Sequence, residues 1–198
     1  DFANIMDENC KKVGLEFIKC PIRHLGTEKC SVIMRAMYDK IIKHNNIKIL
    51  HNTDIIKTEI NDKVKKIITN KETFNCKTLV YAVGRSGADW LQNECKHNNI
   101  EILNNQVDLG VRVELPREIT DPITNLLYEF KVYNISKTSQ NRVRTFCMSP
   151  GGFVTQENYN GDLVCVNGHS FKDKKSNLTN FALLVSAKFT EPFDDSIE

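Results

Sequence analysis

The stretch "TLVYAVGRSGADWL", Thr78 to Leu91, decides how the fold of this chain is interpreted. Its first half, within "KTLVYAVG", is a nearly continuous apolar run, as in a strand covered on both faces in a parallel sheet. It then breaks at Gly84 and resumes with a helical pattern in "GADWLQNEC". A strand, a glycine turn and a helix start in so few residues predict the edge of an α/β unit, where ligands bind beyond the strand ends.

Chemistry at this edge is predicted for a few residues. Gly84 allows close approach of a ligand, Arg85 can reach a phosphate or carboxylate, and Ser86 is expected to cap the helix that follows. The alternative is that Gly84 and Gly87 only form a tight loop between strand and helix. The stretch by itself leaves both interpretations open.

The segments around this edge favour an α/β unit with an inserted β-meander. "TEKCSVIMRAMYDKIIKHNN", Thr27 to Asn46, predicts a helix capped by Thr27, with Val32, Ile33, Met37 and Ile41 on one apolar face. Short β-branched segments follow, and Asn61-Asp62 in "EINDKVKKI" indicates a hairpin. Together these elements predict a crossover unit.

From Asn104 onward the sequence is β-rich, with little helical period. "VDLGVRVELP", "LLYEFKVYN", "NRVRTFCMSPGGFVTQ" and "DLVCVNGHS" are expected strands joined by Pro, Gly and Asn turns. "FALLVSA", Phe181 to Ala187, is the longest apolar run and is a strand or a short helix. The predicted fold class is α+β, with a partial α/β domain over residues 1–103 and a mostly antiparallel domain over residues 104–198.

Composition excludes some classes of function. Lys and Arg total 27 against 25 Asp and Glu, so the net charge of +2 predicts no nucleic-acid partner. No apolar run reaches the ~20 residues of a membrane span. Seven cysteines without a C-x-x-C pair favour a reduced, cytoplasmic protein with no metal site.

Two further stretches contain residues that are common in ligand-binding sites. "MSPGGFV", Met148 to Val154, predicts a type II turn at Pro150-Gly151 that can place backbone amides against a flat ring or serve only as a hairpin loop. "RHLGTE", Arg23 to Glu28, contains His24, which can bind a ligand or be structural. No catalytic triad, metalloprotease motif or Walker loop is present, so these residues alone indicate no reaction.

Five stretches in this order resemble the uncharacterised bacterial FAD-dependent dehydrogenases, which are relatives of the two-dinucleotide-binding-domain flavoproteins. They are "RHLGTEKC", "TLVYAVGRSGADWL", "VDLGVRVELP", "VRTFCMSPGGFV" and "VNGHS". The resemblance covers Arg23 to Ser170 and implies a flavin-dependent oxidoreductase of unknown substrate, with NADH or NADPH as a candidate electron donor. Relatives often have Cys where Ser149 stands, so the resemblance does not extend to dithiol chemistry.

The resemblance also implies roles for residues. The cofactor FAD would lie against Ala82, Val83 and Gly84, with Arg85 and Ser86 beside it and Thr53, Asp54 and Ile55 near the adenine end. Cys147, Pro150, Gly151 and Gly152 would face the flavin and substrate, with Arg112 and Glu114 as weaker candidates.

The sequence contains no G-x-G-x-x-G at a first strand, and the family places that loop upstream. The chain is therefore expected to be the central segment of a longer protein, truncated in its second domain and holding FAD weakly or not at all. A non-catalytic flavin- or nucleotide-binding module and a purely structural β-rich domain are the alternative interpretations.

Overall fold

The computed structural model describes residues 1–20, 22, 24–61, 65–103, 105–159 and 163–187. Its described helices are α1 (Phe2–Lys12), α2 (Cys30–Ile41), α3 (Ala88–His97) and α4 (Arg117–Leu127). Its described strands are β1 (Glu16–Ile18), β2 (Ile55–Ile60), β3 (Lys65–Thr69), β4 (Thr73–Cys76), β5 (Val107–Pro116), β6 (Lys131–Ile135), β7 (Arg142–Pro150), β8 (Phe153–Asn158), β9 (Val164–His169) and β10 (Leu178–Ala187). The α+β class with a β-rich domain is confirmed.

The chain divides into two compact units, one made of residues 1–37 and 105–198 and the other of residues 38–104. We call them the sheet unit and the meander unit. The predicted division after residue 103, where the sequence becomes β-rich, stays a prediction.

The sheet unit is built on five strands in the order β1-β6-β7-β10-β5, and every neighbouring pair is antiparallel. β10 lies between β7 and β5, which is why its apolar run forms a strand rather than a helix. The hairpin of β8 and β9 contacts β7 and β10. Polar residues are buried along the central strands, including Thr145, Ser149, Thr179 and Asn180, so the interior of this unit is unusually polar.

The meander unit contains the antiparallel sheet β2-β3-β4. The predicted hairpin is confirmed by the pairing of Ile60 with Lys65, although residues 62–64 of its turn lie outside the described residues. Thr58 of β2 is fully buried, and its backbone N–H and its hydroxyl both donate to Glu94 Oε2 at 2.6 Å. The hydroxyl of Thr58 also lies 2.6 Å from that of Tyr81, so one buried polar group joins the meander to α3 and to the segment before Gly84.

Several local predictions were wrong. Residues 78–83 pair with no described strand, and Val80 is 78% exposed, because the described part of this unit offers that segment no neighbouring strand. The helix α2 ends at Ile41, and its predicted apolar face is exposed at Val32, Ile33, Met37 and Ile41. The turn before α2 begins after Gly26 without a side-chain cap, since the N–H of Thr27 donates to Ser170 O at 2.8 Å.

Candidate functional site

Cys147 occupies a bulge in β7. The register between β7 and β10 shifts between Asn180 and Ala182, so that Cys147 and Met148 lie opposite the single residue Phe181. Cys147 has φ 47, which is the left-handed region that favours glycine. A bulge directs a side chain away from the regular alternation of a strand, and bulges are frequent beside active sites. Strained backbone at a half-buried thiol therefore marks this position as a candidate site.

Replacing Cys147 by glycine and by alanine tests the backbone strain. We expect Cys147→Gly to be more stable than Cys147→Ala by about 1 kcal/mol, because only glycine adopts a left-handed conformation without cost. In a regular strand the ranking is reversed, since glycine is less stable than alanine by about 0.5–1 kcal/mol. Urea denaturation of both variants measures the difference. Equal stability, or a more stable alanine variant, would contradict the strained geometry.

Arg112 on β5 connects the bulge to the β8–β9 hairpin. Its Nη1 donates to Cys147 O at 2.8 Å, and its Nη2 donates to Asn167 Oδ1 at 3.1 Å. The sulfur of Cys147 lies 3.9 Å from the same oxygen, and Asn167 Nδ2 donates to Glu157 Oε1 at 3.1 Å. A cationic side chain thus holds the carbonyl of the strained residue. Glu114, predicted beside Arg112, is exposed at the register position opposite Asn180.

Buried polar atoms converge on Gly168 of β9. A Cβ atom at that position would lie 2.5 Å from Asn180 Oδ1, 2.6 Å from Arg112 Nη2 and 2.8 Å from Ser149 Oγ. We call Arg112, Ser149, Asn167 and Asn180 the polar cluster. Both side-chain amide atoms of Asn180, which is fully buried, and Nε of Arg112 lack a protein hydrogen-bond partner. Such atoms require a water or a ligand, so the cluster has unused capacity to bind.

The Pro-Gly-Gly turn lies beside this cluster and is buried. Gly152 N–H donates to Ser149 O at 3.0 Å and Gly151 has φ 62, as the predicted type II turn requires. A Cβ at Gly152 would meet His169 O at 2.7 Å, and one at Gly151 would meet Lys175 Cδ at 2.9 Å. Close packing against backbone therefore requires Gly152, and the positive φ requires Gly151.

A cavity of about 540 Å³ opens in the same unit. We call it the basic cavity, and its walls are His24, Leu25, Lys29, Val32, Ile33, Tyr128, Lys172 and Lys175. The rings of His24 and Tyr128 stack with centroids 4.3 Å apart.

The surroundings of the stacked rings shift the pKa of both Tyr128 and His24. Burial raises the pKa of Tyr128, and the Ser170 hydroxyl moderates the rise. The two hydroxyls are neighbours, but neither forms a hydrogen bond with a described residue, and burial therefore has the larger effect on the pKa of Tyr128. Burial, and then the charge of Lys175, lower the pKa of His24. His24 is therefore mainly neutral near pH 7.

The predicted cofactor residues Ala82, Val83, Gly84, Arg85 and Ser86 lie in the meander unit. Gly84 has φ 65 and ψ −168, and a Cβ there would have no heavy atom within 4 Å. Open space at a glycine-only conformation fits the close approach of a ligand. The prediction that Ser86 caps the helix was wrong. Residues Arg85–Gly87 form a single 3₁₀ turn, and α3 begins after Gly87 without a side-chain cap.

The second predicted group, Thr53, Asp54 and Ile55, closes the open end of the β2–β3 hairpin. Thr53 Oγ1 donates to His51 O at 3.0 Å, and Asp54 N–H donates to Asn70 Oδ1 at 3.1 Å. Ile55 pairs with Thr69. These contacts explain the local structure of the three residues, and their nucleotide-binding role stays a prediction.

Sequence reasoning missed much of the site. Asn180 and Tyr128 carried no sequence signal, because nothing in the pattern of β10 or of the segment after α4 indicates polar atoms buried without partners. Asn167 and Ser170 stood inside the motif "VNGHS" without roles of their own. The described residues contain no group of three side chains able to hold a metal ion. Within the same residues, every helix is too short or too polar to cross a membrane.

Comparison with known proteins relates the sheet unit to flavoproteins. Residues 106–197 match the family described as "FAD-dependent protein, C-terminal domain-like", and these residues include Arg112, Cys147, Asn167 and Asn180. The chain is also 24% identical over 204 residues to an uncharacterized protein of Clostridium beijerinckii, covering 93% of this chain and 38% of that protein. The chain thus spans well under half the length of this relative. The family match supports a relation to FAD-dependent proteins through the polar β-rich part of the chain.

Proposed function

We propose that this chain is part of an FAD-dependent oxidoreductase acting in the reducing cytoplasm. The observation that carries the proposal is the polar cluster, whose buried and unpartnered atoms lie within the residues that match an FAD-dependent family. Ligand sites use a few convergent polar groups to fix the orientation of the ligand, and this cluster supplies such groups. The seven cysteines are free, in agreement with a reducing compartment.

Each unit has a distinct role in this proposal. In the meander unit, Gly84 would let FAD approach the protein backbone closely. Ala82, Val83, Arg85 and Ser86 would lie beside the cofactor. Thr53, Asp54 and Ile55 would lie toward the adenine. When bound, FAD supplies hydride or electron transfer.

The sheet unit would shape the reacting face. Arg112 would hold the Cys147 carbonyl and present positive charge to an electron-rich group. Pro150, Gly151 and Gly152 would keep this wall rigid and exclude water. The substrate is a small molecule, and NADH or NADPH is the proposed electron donor.

A second candidate is a flavin- or nucleotide-binding module without catalysis. The observation that favours it is the close packing of the Pro-Gly-Gly turn, where a Cβ at Gly151 would lie 2.9 Å from Lys175 Cδ and one at Gly152 would lie 2.7 Å from His169 O. In that case the protein would bind FAD and would consume no reductant. Anaerobic bleaching of the flavin by NADH or NADPH distinguishes the two candidates.

The flavin proposal is tested with the complete protein by its visible absorption spectrum after incubation with FAD and removal of the excess. We expect a retained flavin spectrum, and at least a tenfold weaker affinity for FAD in Gly84→Val, whose branched side chain would fill the open approach. Gly14→Val is the matched control, because Gly14 also has a positive φ of 74 and no heavy atom within 4 Å of a Cβ. Gly14→Val likewise places a branched residue at a positive φ, but in the other unit.

The pair of alanine variants, Gly84→Ala and Gly14→Ala, repeats the comparison if the valine variants fold poorly. A colourless complete protein would refute the flavin proposal. Equal loss of flavin in both members of a pair would instead refute the assignment of Gly84 to the cofactor.

A further inference from the structure

We propose that the basic cavity binds a small organic anion with a carboxylate head and an apolar body. The inference goes beyond the flavin proposal, because the cavity lies within the sheet unit and its binding chemistry requires no cofactor. Its volume of about 540 Å³ lies in the range of small-molecule sites.

The charge of the cavity favours an anion. Lys29, Lys172 and Lys175 line it, and none of the three forms an ion pair with another described residue. Glu28 and Glu129 are acidic neighbours whose charges act on His24. Oε1 of Glu28 accepts the backbone N–H of Lys172 at 3.0 Å, and Glu129 forms an ion pair with Lys131 at 3.7 Å. Three ammonium groups against these two carboxylates leave an excess of positive charge, and with His24 mainly neutral the lysines supply it.

The remaining walls favour an apolar body on that anion. Leu25, Val32 and Ile33 line the cavity and are 43%, 63% and 43% exposed. The stacked rings of His24 and Tyr128 form a further wall. A hydrocarbon body would remove these side chains from water, whereas a bare inorganic anion would leave them exposed.

Backbone contacts preform the site. Thr27 N–H donates to Ser170 O at 2.8 Å, and together with the bond from Lys172 to Glu28 this contact joins the two segments that carry the cavity lysines. Lys175 Nζ donates to Pro150 O at 3.5 Å, which places its stem against the Pro-Gly-Gly turn. A preformed cavity lowers the ordering cost of binding.

Calorimetric titration of the full chain without flavin tests the proposal. The probes are 3-phenylpropanoate, its cationic counterpart 3-phenylpropylamine, and inorganic phosphate. We expect saturable binding of the carboxylate with a Kd on the order of 1 mM or tighter. The amine and phosphate should each bind at least tenfold more weakly. The flavin proposal is tested by a separate absorption assay. Either proposal can therefore fail while the other holds.

Variants at one segment locate the binding. Lys172→Gln and Lys175→Gln should each weaken carboxylate binding at least fivefold. Lys174→Gln removes the same charge from the same segment and should have little effect, because Lys174 Nζ lies 5.1 Å from the Phe153 ring centroid and is not a wall of the cavity. Ile33→Asn should weaken the binding of 3-phenylpropanoate. Acetate, used here as a carboxylate without an apolar body, should bind the variant and the original protein equally.

Three results would overturn the inference. These are absence of carboxylate binding, equal weakening by Lys174→Gln, and binding of phosphate or the amine as tightly as the carboxylate. Thermal melting of each variant shows that the comparison is made on folded protein, and Lys172→Gln carries the test if Lys175→Gln unfolds.

Discussion

Gly168→Ala is expected to destabilise the sheet unit by about 2–3 kcal/mol, because the added methyl group overpacks a closed space. The alanine Cβ would lie 2.5–2.8 Å from polar atoms of Asn180, Arg112 and Ser149, which belong to three different strands. These side chains have little room to give way, because Asn180 and Ser149 are buried and the Arg112 guanidinium is held by Cys147 O at 2.8 Å. Urea denaturation of the full chain, followed by far-UV circular dichroism, measures the change.

Ser149→Ala provides the control for this prediction. It removes one of the three atoms that the new methyl group would meet, so the double variant should be less destabilised than the sum of the two single changes. The expected coupling is at least about 0.5 kcal/mol. Strict additivity, or a Gly168→Ala variant as stable as the original protein, would show that the cluster does not close on Gly168.

Glu94→Ala is expected to cost the meander unit about 3 kcal/mol, because it leaves buried donors without an acceptor. Oε2 of Glu94 accepts both the N–H and the hydroxyl of Thr58, which is fully buried. The hydroxyl of Thr58 also meets that of Tyr81, so loss of the carboxylate disturbs the whole connection between β2, α3 and the segment before Gly84. Thermal and urea denaturation of the full chain measure the effect.

Glu94→Gln is the matched variant. One amide oxygen can accept both bonds that Oε2 accepts, so glutamine should recover most of the stability lost in alanine. Asp89→Ala, at an exposed position of the same helix, controls for loss of negative charge from α3. If glutamine is as unstable as alanine, the pair of accepted hydrogen bonds is not what holds Thr58.

Elements of this chain that depend on local sequence signals were predicted, and elements that depend on other parts of the fold were not. β5 was predicted over its full length, because its alternation and its turn residues are local signals. The helices α1 and α4 were not predicted. α4 contains Pro122 as its sixth residue. A proline inside a helix lacks the N–H that the helix needs, so the sequence argued against a helix here.

The Lys77–Gly84 segment shows the opposite error. Its apolar run predicted a covered strand, but the described part of the meander unit provides no partner strand for it. A β-strand forms only when its N–H and C=O groups pair with another strand. An apolar run does not indicate whether the fold places such a strand beside it.

For the candidate site, the sequence by itself determined the glycine positions, the type II turn and the α+β class, because local backbone preferences and the alternation of apolar residues set these features. Only the tertiary structure decided that Cys147 lies in a strained bulge, that Asn180 is buried without partners, and that Lys172 and Lys175 share a cavity with Lys29. The reason is that burial and charge proximity depend on residues far apart in the chain, which long-range packing alone brings together.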